Sequence, residues 1–368
     1  GASPGAVAAS RRLGLARHML LDSDLPMIQV ADAAGFRSLR RFNQIIRDAY
    51  GRPPTALRRQ REKAPISMRG ALTLTLHARA PIDWARLFRY LGPRAIPGIE
   101  EVTGTTYRRS WRIGAAAGVL EAGPGPQDRQ IRLTIVGYEG ETLPLGPVVA
   151  GVKRLFDVEA DIPSIDRHLS ADPALKQLLP AGGDLRIPGG FDPFELAVRA
   201  ILGQQVSVTG ATTLAARVVA RAGRPLAGAT GTITRTFPTP EDLLGANLDR
   251  LGCPGARVNA LNALAEALAA GNVDLMPGAD LERTIAKLTA LKGVGPWTAS
   301  YIALRALGEA DAFPAGDLGL QKALGGLSER ELKARAEAWR PWRGHAAMAI
   351  WLSLPAPSAH KPAKGTHR

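Results

Sequence analysis

The sequence predicts a mostly helical protein with one small α+β unit, and three observations carry that expectation. Residues 1–63 form a basic block of short helices broken at a glycine. From Met68 to about Gly146 apolar residues alternate, as in half-buried strands. From Pro147 onward they recur every three to four residues, as on amphipathic helices. A chain of 368 residues exceeds one ordinary domain, so these stretches are expected to be separate units. The boundaries are read as 1–63, 68–146 and 147–355. Residues 64–67 read as a linker, and the Pro-rich basic end, 356–368, reads as disordered.

In the first block, PMIQVADAAGFRSLRRFNQIIRDAYGRPPTALRR has a helix–turn–helix grammar. Pro26 opens a short helix, where its missing N–H costs nothing. Gly35 supplies the turn, and Ser38 can cap a second helix running to about Tyr50. Gly51 and Pro53 end it. Phe36, Phe42 and Ile46 are expected inside. Arg37, Ser38, Arg40, Arg41, Gln44 and Arg47 are left for DNA. The block holds twelve Lys and Arg against five acids, half of the chain's net charge of +14 in about a sixth of its length.

In the second unit, ALTLTLHAR and QIRLTIVGY alternate as strands. DWARLFRYL reads as a helix between them, and TTYRRSWRI and GAAAGVLEAG read as further strands with Gly turns. One sheet with one or two helices results. The third unit reads as helices throughout, many opened by Asp, Ser or Pro and closed by Gly.

Charge and pI near 10.5 point to a polyanionic partner, with nucleic acid the first choice. A single cysteine, Cys253, excludes a disulfide framework and any multi-Cys metal site. It reads as a small packing residue, in keeping with a reducing cytoplasm. The start lacks a basic segment followed by an apolar core, so it does not read as a signal peptide. No apolar run approaches the ~20 residues a membrane span needs. The first residue is Gly rather than Met, as in a piece of a longer polypeptide.

The chemistry concentrates in LKGVGPWTASYIALRALGEADAFPAGDLGL, residues 291–320. Gly293 and Gly295 permit a tight turn whose amides, with those of the next helix, converge on one side. Such a nest at a helix N-terminus binds a phosphate without reading a base. Gly293, Val294, Gly295 and Thr298 are the expected contacts, Thr298 through its hydroxyl. A helix from Pro296 to Leu307 then spans a fixed distance to Asp317, in a loop poor in other titratable groups. Asp317 reads two ways, as the cap of a helix starting near Gly319 and as a carboxylate held against a bound strand. The two roles are compatible.

From about Met68 to Leu354 the chain resembles the AlkA-type 3-methyladenine DNA glycosylases of the helix–hairpin–helix superfamily. The resemblance rests on IPGGFDPFELAVRAILGQQVSV, FPTPEDL, the stretch above and AWRPWRGHAAMAIWL. The first block is similar to the second half of an AraC-type DNA-binding domain, through Val30, Ala31, Ala34, Gly35, Phe36, Phe42, Ile46 and GRPPTALRR. Ser10 to Asp22 then corresponds to that family's joining helix. The implied architecture is an AraC-like helix–turn–helix block, a TBP-like sheet domain and a helix–hairpin–helix glycosylase domain.

The resemblance implies a monofunctional N-glycosylase of base-excision repair, excising cationic N3- or N7-alkylated purines and leaving an abasic site. Asp317 is the implied catalytic carboxylate. Trp297, Tyr301, Trp351 and Tyr90 are the implied pocket, whose π faces attract a cationic base. Gln205 stands where the best-known pattern has Leu, in the loop that fills the gap left by the extruded base. Leu318 follows Asp317 where an aromatic can occur. Trp297 occupies the position of the Schiff-base Lys of bifunctional relatives, so no strand cleavage is expected, and one Cys cannot hold the four-Cys iron–sulfur cluster that some members carry. No cofactor is implied for catalysis. The family does place a monovalent cation, Na or K, on the hairpin carbonyls, here those of Thr289, Leu291 and Val294.

The partner implied is duplex DNA with damaged bases, bound by a monomer in the nucleoid-associated cytoplasm. The competing reading is a transcription regulator of the adaptive response to alkylation. In that reading the AraC-like block binds DNA and the glycosylase-like part senses damage. The methyl-acceptor Cys cluster of fused adaptive-response proteins is not in this sequence.

Overall fold

The computed structural model describes residues 13, 16, 17, 19, 20, 26–36, 38–58, 71–140, 143–180, 183–276 and 280–354. Arg37, the 64–67 linker, the 356–368 tail and most of the expected joining helix lie outside the described residues.

The first block forms helices Met27–Ala33, Leu39–Tyr50 and Pro54–Arg58. Ser38 Oγ accepts from the Arg41 amide, and Gly51 closes the second helix at φ 67°, a left-handed conformation that glycine takes without steric cost. Phe42 and Ile46 are buried, and Phe36 meets Phe42 edge to face at 5.4 Å. Arg40, Arg41, Gln44 and Arg47 are exposed. Gln44 Nε2 is already engaged by Asp48 Oδ1 at 2.8 Å.

The second unit is an antiparallel sheet of β1 Leu72–His77, β2 Glu100–Thr103, β3 Thr106–Ile113, β4 Ala116–Pro124 and β5 Gln130–Glu139. Its order is β1-β5-β4-β3-β2. Alternation places Leu74 and Leu76 of β1 and Ile131, Leu133 and Ile135 of β5 in one core. Asp83 caps helix Trp84–Leu91, which carries Tyr90.

One expectation fails in the third unit. The stretch after Pro147 is not helical throughout, because Pro225–Thr230 and Ile233–Arg235 form a two-stranded ribbon turning at Gly231, φ 61°. Leu226 and Ile233 pack on Ala117 and Val119, so β4 is covered on both faces. That is why β4 is buried almost continuously rather than alternately. The remaining chain is helical. Asp192 caps Pro193–Leu202, Ser207 caps Val208–Ala222, Asp280 caps Leu281–Thr289 and Ser328 closes a capping box.

The sheet meets the helices through buried charge. Arg109 of β3 reaches Glu195 Oε2 at 2.5 Å and Glu100 Oε1 at 3.4 Å. Arg199 reaches Glu100 Oε2 at 2.8 Å and Glu195 Oε1 at 3.1 Å. Two guanidiniums and two carboxylates thus close a neutral ring, with Tyr107 donating to Glu100 at 2.5 Å. Burial opposes charge here, yet Arg199 and Arg109 together hold the Glu100 carboxyl below its usual range.

Candidate active site

Helices Leu281–Thr289 and Pro296–Ile302 flank the glycine turn. Gly293 takes φ 92°, and a Cβ there would lie 2.8 Å from Ala260 Cβ, so only glycine fits on both counts. Gly293 and Gly295 are exposed, and Val294 turns its side chain inward while its N–H donates to Leu291 O at 3.0 Å. Gly295 is the N-cap and no side chain caps the helix, so its first amides stay unclaimed by side chains.

Thr298 departs from expectation. It is 2% exposed, and its hydroxyl accepts from Gln204 Nε2 at 2.9 Å. Its side chain is buried where it joins the hairpin to another loop.

After Ile302 the helix widens into a π turn, Ala303–Leu307, stopped by Gly308 at φ 76°. The chain then returns to Asp317, which is partly exposed and sits beside the hairpin helix. One oxygen, Oδ1, accepts from the Leu320 amide at 3.0 Å and caps Leu318–Ala323. The other, Oδ2, accepts from Trp297 Nε1 at 2.8 Å. Both carboxylate oxygens are thus engaged, one in capping and one by the indole, and Trp297 stands between Asp317 and the cavity that its ring lines. Leu318, next to it, is 67% exposed.

The aromatics expected together are together. Trp297 stacks on Tyr301 at 5.5 Å and 21°, and Tyr301 leans on Trp351 at 5.8 Å. Tyr90 arrives from the sheet unit through Arg305, whose Nη1 donates to Tyr90 Oη at 2.5 Å and Tyr301 Oη at 2.8 Å. Arg94 lies over the Tyr90 ring at 3.9 Å. Burial pushes the Tyr301 phenol above its ordinary value. Tyr90 goes the other way, because Arg305 and Arg94 outweigh its burial. Trp297, Tyr301 and Arg305 form one wall of a cavity of about 190 Å³, and Gly203, Val206 and Ser207 contribute another. Trp297 is therefore the hinge of the site, its ring on the cavity and its N–H on the carboxylate.

Gln205 is exposed at the apex of the loop before Val208–Ala222, with φ 54°. A non-glycine residue there is uncommon and is held against its preference. Sequence reading missed Arg305 and Gln204. For Arg305 a signal existed, since it follows Tyr301 by four residues and so shares its helix face. Gln204 carries no such mark. Among the described residues no cluster of three His, Cys, Asp or Glu is arranged to hold a metal.

Family models match three stretches of the chain. A helix-turn-helix domain covers residues 1–60, the AlkA N-terminal domain covers 73–192, and the HhH-GPD superfamily base excision DNA repair protein model covers 198–343. A probable bifunctional transcriptional activator/DNA repair enzyme AlkA of Mycobacterium tuberculosis is 39% identical over 364 residues, 97% of this chain and 73% of the relative. DNA-3-methyladenine glycosylase 2 of Escherichia coli is 35% identical over 283 residues, 76% of this chain and 96% of the relative. In fold, the chain resembles a 3-methyladenine DNA-glycosylase from Archaeoglobus fulgidus, with a TM-score of 0.64 at 22% identity over 76% of this chain and 97% of that one. An 8-oxoguanine glycosylase/lyase of Clostridium acetobutylicum, solved with double-stranded DNA, gives a TM-score of 0.60 at 19% identity over 77% and 94%. A hairpin of this geometry, a carboxylate beside stacked aromatics and these likenesses converge: the chain belongs to the AlkA family of DNA-3-methyladenine glycosylases, within the HhH-GPD base-excision repair superfamily.

Proposed function

We propose that this chain is a monofunctional DNA N-glycosylase that extrudes alkylated purines from duplex DNA and hydrolyses their N-glycosidic bond. The observation that carries the reading is the Asp317 carboxylate, held by the Trp297 indole N–H and the Leu320 amide beside the Trp297, Tyr301 and Trp351 rings. Two N–H donors orient an anion without neutralising it.

The C1′–N bond breaks with its electron pair leaving on the base, so a base made cationic by alkylation departs neutral. Positive charge develops on the deoxyribose, where a fixed carboxylate stabilises it. Water oxygen then bonds to C1′ and sheds one proton, leaving an abasic site. The Trp297, Tyr301 and Trp351 rings hold the extruded base by stacking, and Gln205 takes its place in the duplex. No lysine stands at position 297, so no Schiff base and no strand cleavage follow.

The Gly293 and Gly295 amides of the turn, with Val294 N–H turned inward to Leu291 O, and the first amides of Pro296–Ile302 anchor one phosphate. Thr289 ends its helix, where last carbonyls lack intrahelical partners. With the Leu291 and Val294 carbonyls it offers neutral oxygens only. That set suits Na or K and lacks the carboxylates a divalent cation would demand. The enzyme is expected to work as a monomer on damaged duplex DNA in the cytoplasm, at the nucleoid.

The test is release of 3-methyladenine and 7-methylguanine from alkylated duplex. Asp317→Asn should lower the single-turnover rate by about 10²–10³-fold, the scale of losing one electrostatic stabiliser. No release by the unaltered protein, or no loss in the variant, defeats the proposal. The Ser38-capped helix with exposed Arg40 and Arg41 favours a second, compatible role as a DNA-binding activator block. Footprinting on a defined promoter checks it.

A further inference from the structure

We propose that Gln204 is a positioning residue that couples the gap-filling loop to the phosphate-gripping hairpin, so that the two meet DNA as one rigid piece. The inference rests on the glycosylase reading above. The Gln204 amide spends both of its N–H donors on the hairpin, one on Gly293 O at 3.0 Å and one on Thr298 Oγ1 at 2.9 Å. Its backbone carbonyl accepts from Arg257 Nη2 at 2.6 Å. Arg257 belongs to helix Gly255–Ala269, whose Ala260 methyl fills the space a side chain on Gly293 would need. Loop, hairpin and helix are thereby joined through one residue, by its side chain to the hairpin and its carbonyl to the helix.

The neighbouring residues show what the lock holds. Gln205 keeps φ 54° while exposed, and Val206 beside it is 39% exposed. A backbone strained in this way persists only where its surroundings over-determine it. Gln204 supplies that constraint from one side, and Ser207, capping the next helix through the Gly210 amide at 3.1 Å, supplies it from the other. Presenting the wedge already ordered removes an entropic cost that a free loop would meet on binding. It also fixes the distance between the gripped phosphate and the emptied gap. Gln204 touches neither the reacting bond nor Asp317, so its effect falls on extrusion and not on bond cleavage.

The test compares one lesion in two settings, a fully matched duplex and a two-nucleotide bulge where extrusion costs little. Gln204→Leu keeps the side chain's bulk and removes both donors, and Thr298→Val removes one acceptor at nearly constant shape. Each should lower the matched-duplex single-turnover rate roughly tenfold, the worth of about one net hydrogen bond, while the bulge rate changes less than about twofold. The double variant should be no slower than the slower single one. Equal losses on both substrates, no loss on either, or additive losses in the double variant would overturn the coupling. Asp317→Asn should fail on both substrates. Unaltered protein inactive on both would sink the glycosylase reading, and the coupling with it, a pattern none of the other outcomes produces.

Discussion

Replacing Arg109 by Met tests how the sheet unit is held against the glycosylase helices. Arg109 is buried, and its guanidinium contacts Glu195 at 2.5 Å, Glu100 at 3.4 Å, the Ser110 carbonyl at 2.9 Å and the Phe191 ring at 4.4 Å. Removing it leaves Glu100 and Glu195 to share the single cation of Arg199, an excess of one buried negative charge. Breaking a buried pair from one side costs about 3–5 kcal/mol, mostly as desolvation no longer compensated. At ~2–4 °C per kcal/mol for a unit of this size, the melting temperature should fall by roughly 10 °C. Scanning calorimetry and urea unfolding read by tryptophan fluorescence measure it. The decisive comparison is Arg109→Met with Glu195→Met, which returns the ring to one cation and one anion. The double variant should regain most of the loss. A single variant within about 1 kcal/mol of the parent, or a double variant as damaged as the two singles summed, would refute the charge-balance reasoning.

Three further outcomes are expected. Trp297→Phe keeps a ring on the cavity but takes the N–H from Asp317; base release should slow by about 10–100-fold, the worth of a hydrogen bond to a charged group, with little change in DNA affinity. Burial and the nearby Glu195 push the Asp192 carboxyl up to about 6. A raised acid pKa means the folded state binds the extra proton, so this group's contribution is most favourable below about 4 and is lost as pH rises through about 6. Asp192→Asn should therefore raise stability at pH 7 by up to about 3 kcal/mol and leave it unchanged near pH 4, as melting curves across that window would show. Gly293→Ala meets both a left-handed backbone and the Ala260 methyl; a loss of about 2–4 kcal/mol in urea unfolding is expected, together with weaker DNA binding by anisotropy.

What could be read in the sequence was what local chemistry dictates. Ser38, Gly51 and the apolar positions Phe42 and Ile46 specify their helix from within a dozen residues. β1 and β5 announce themselves by alternation. The capping role of Asp317 was legible because an Asp directly before a helix start is a local signal. The illegible parts depend on partners far along the chain. Arg305 is joined to Tyr90 across 215 residues, and Gln204 to Thr298 across 94. Thr298 looked like a surface donor until the loop around Gln204 covered it. The Pro225–Arg235 ribbon is short and rich in Gly and Thr, and the back of the sheet, above all β4, turns it into a packed element. β2 has four residues and exists because β3 pairs with it.

The π turn at Ala303–Leu307 makes the short stretch from Tyr301 to Arg305 sensitive to length change. A wider turn inserts one extra residue per revolution, so side chains in and beyond it are rotated relative to a regular helix. Arg305 lies inside that turn and from it reaches both Tyr301 Oη and Tyr90 Oη. Losing or gaining one residue between Tyr301 and Arg305 is expected to rotate the guanidinium off both phenols, even with the composition untouched.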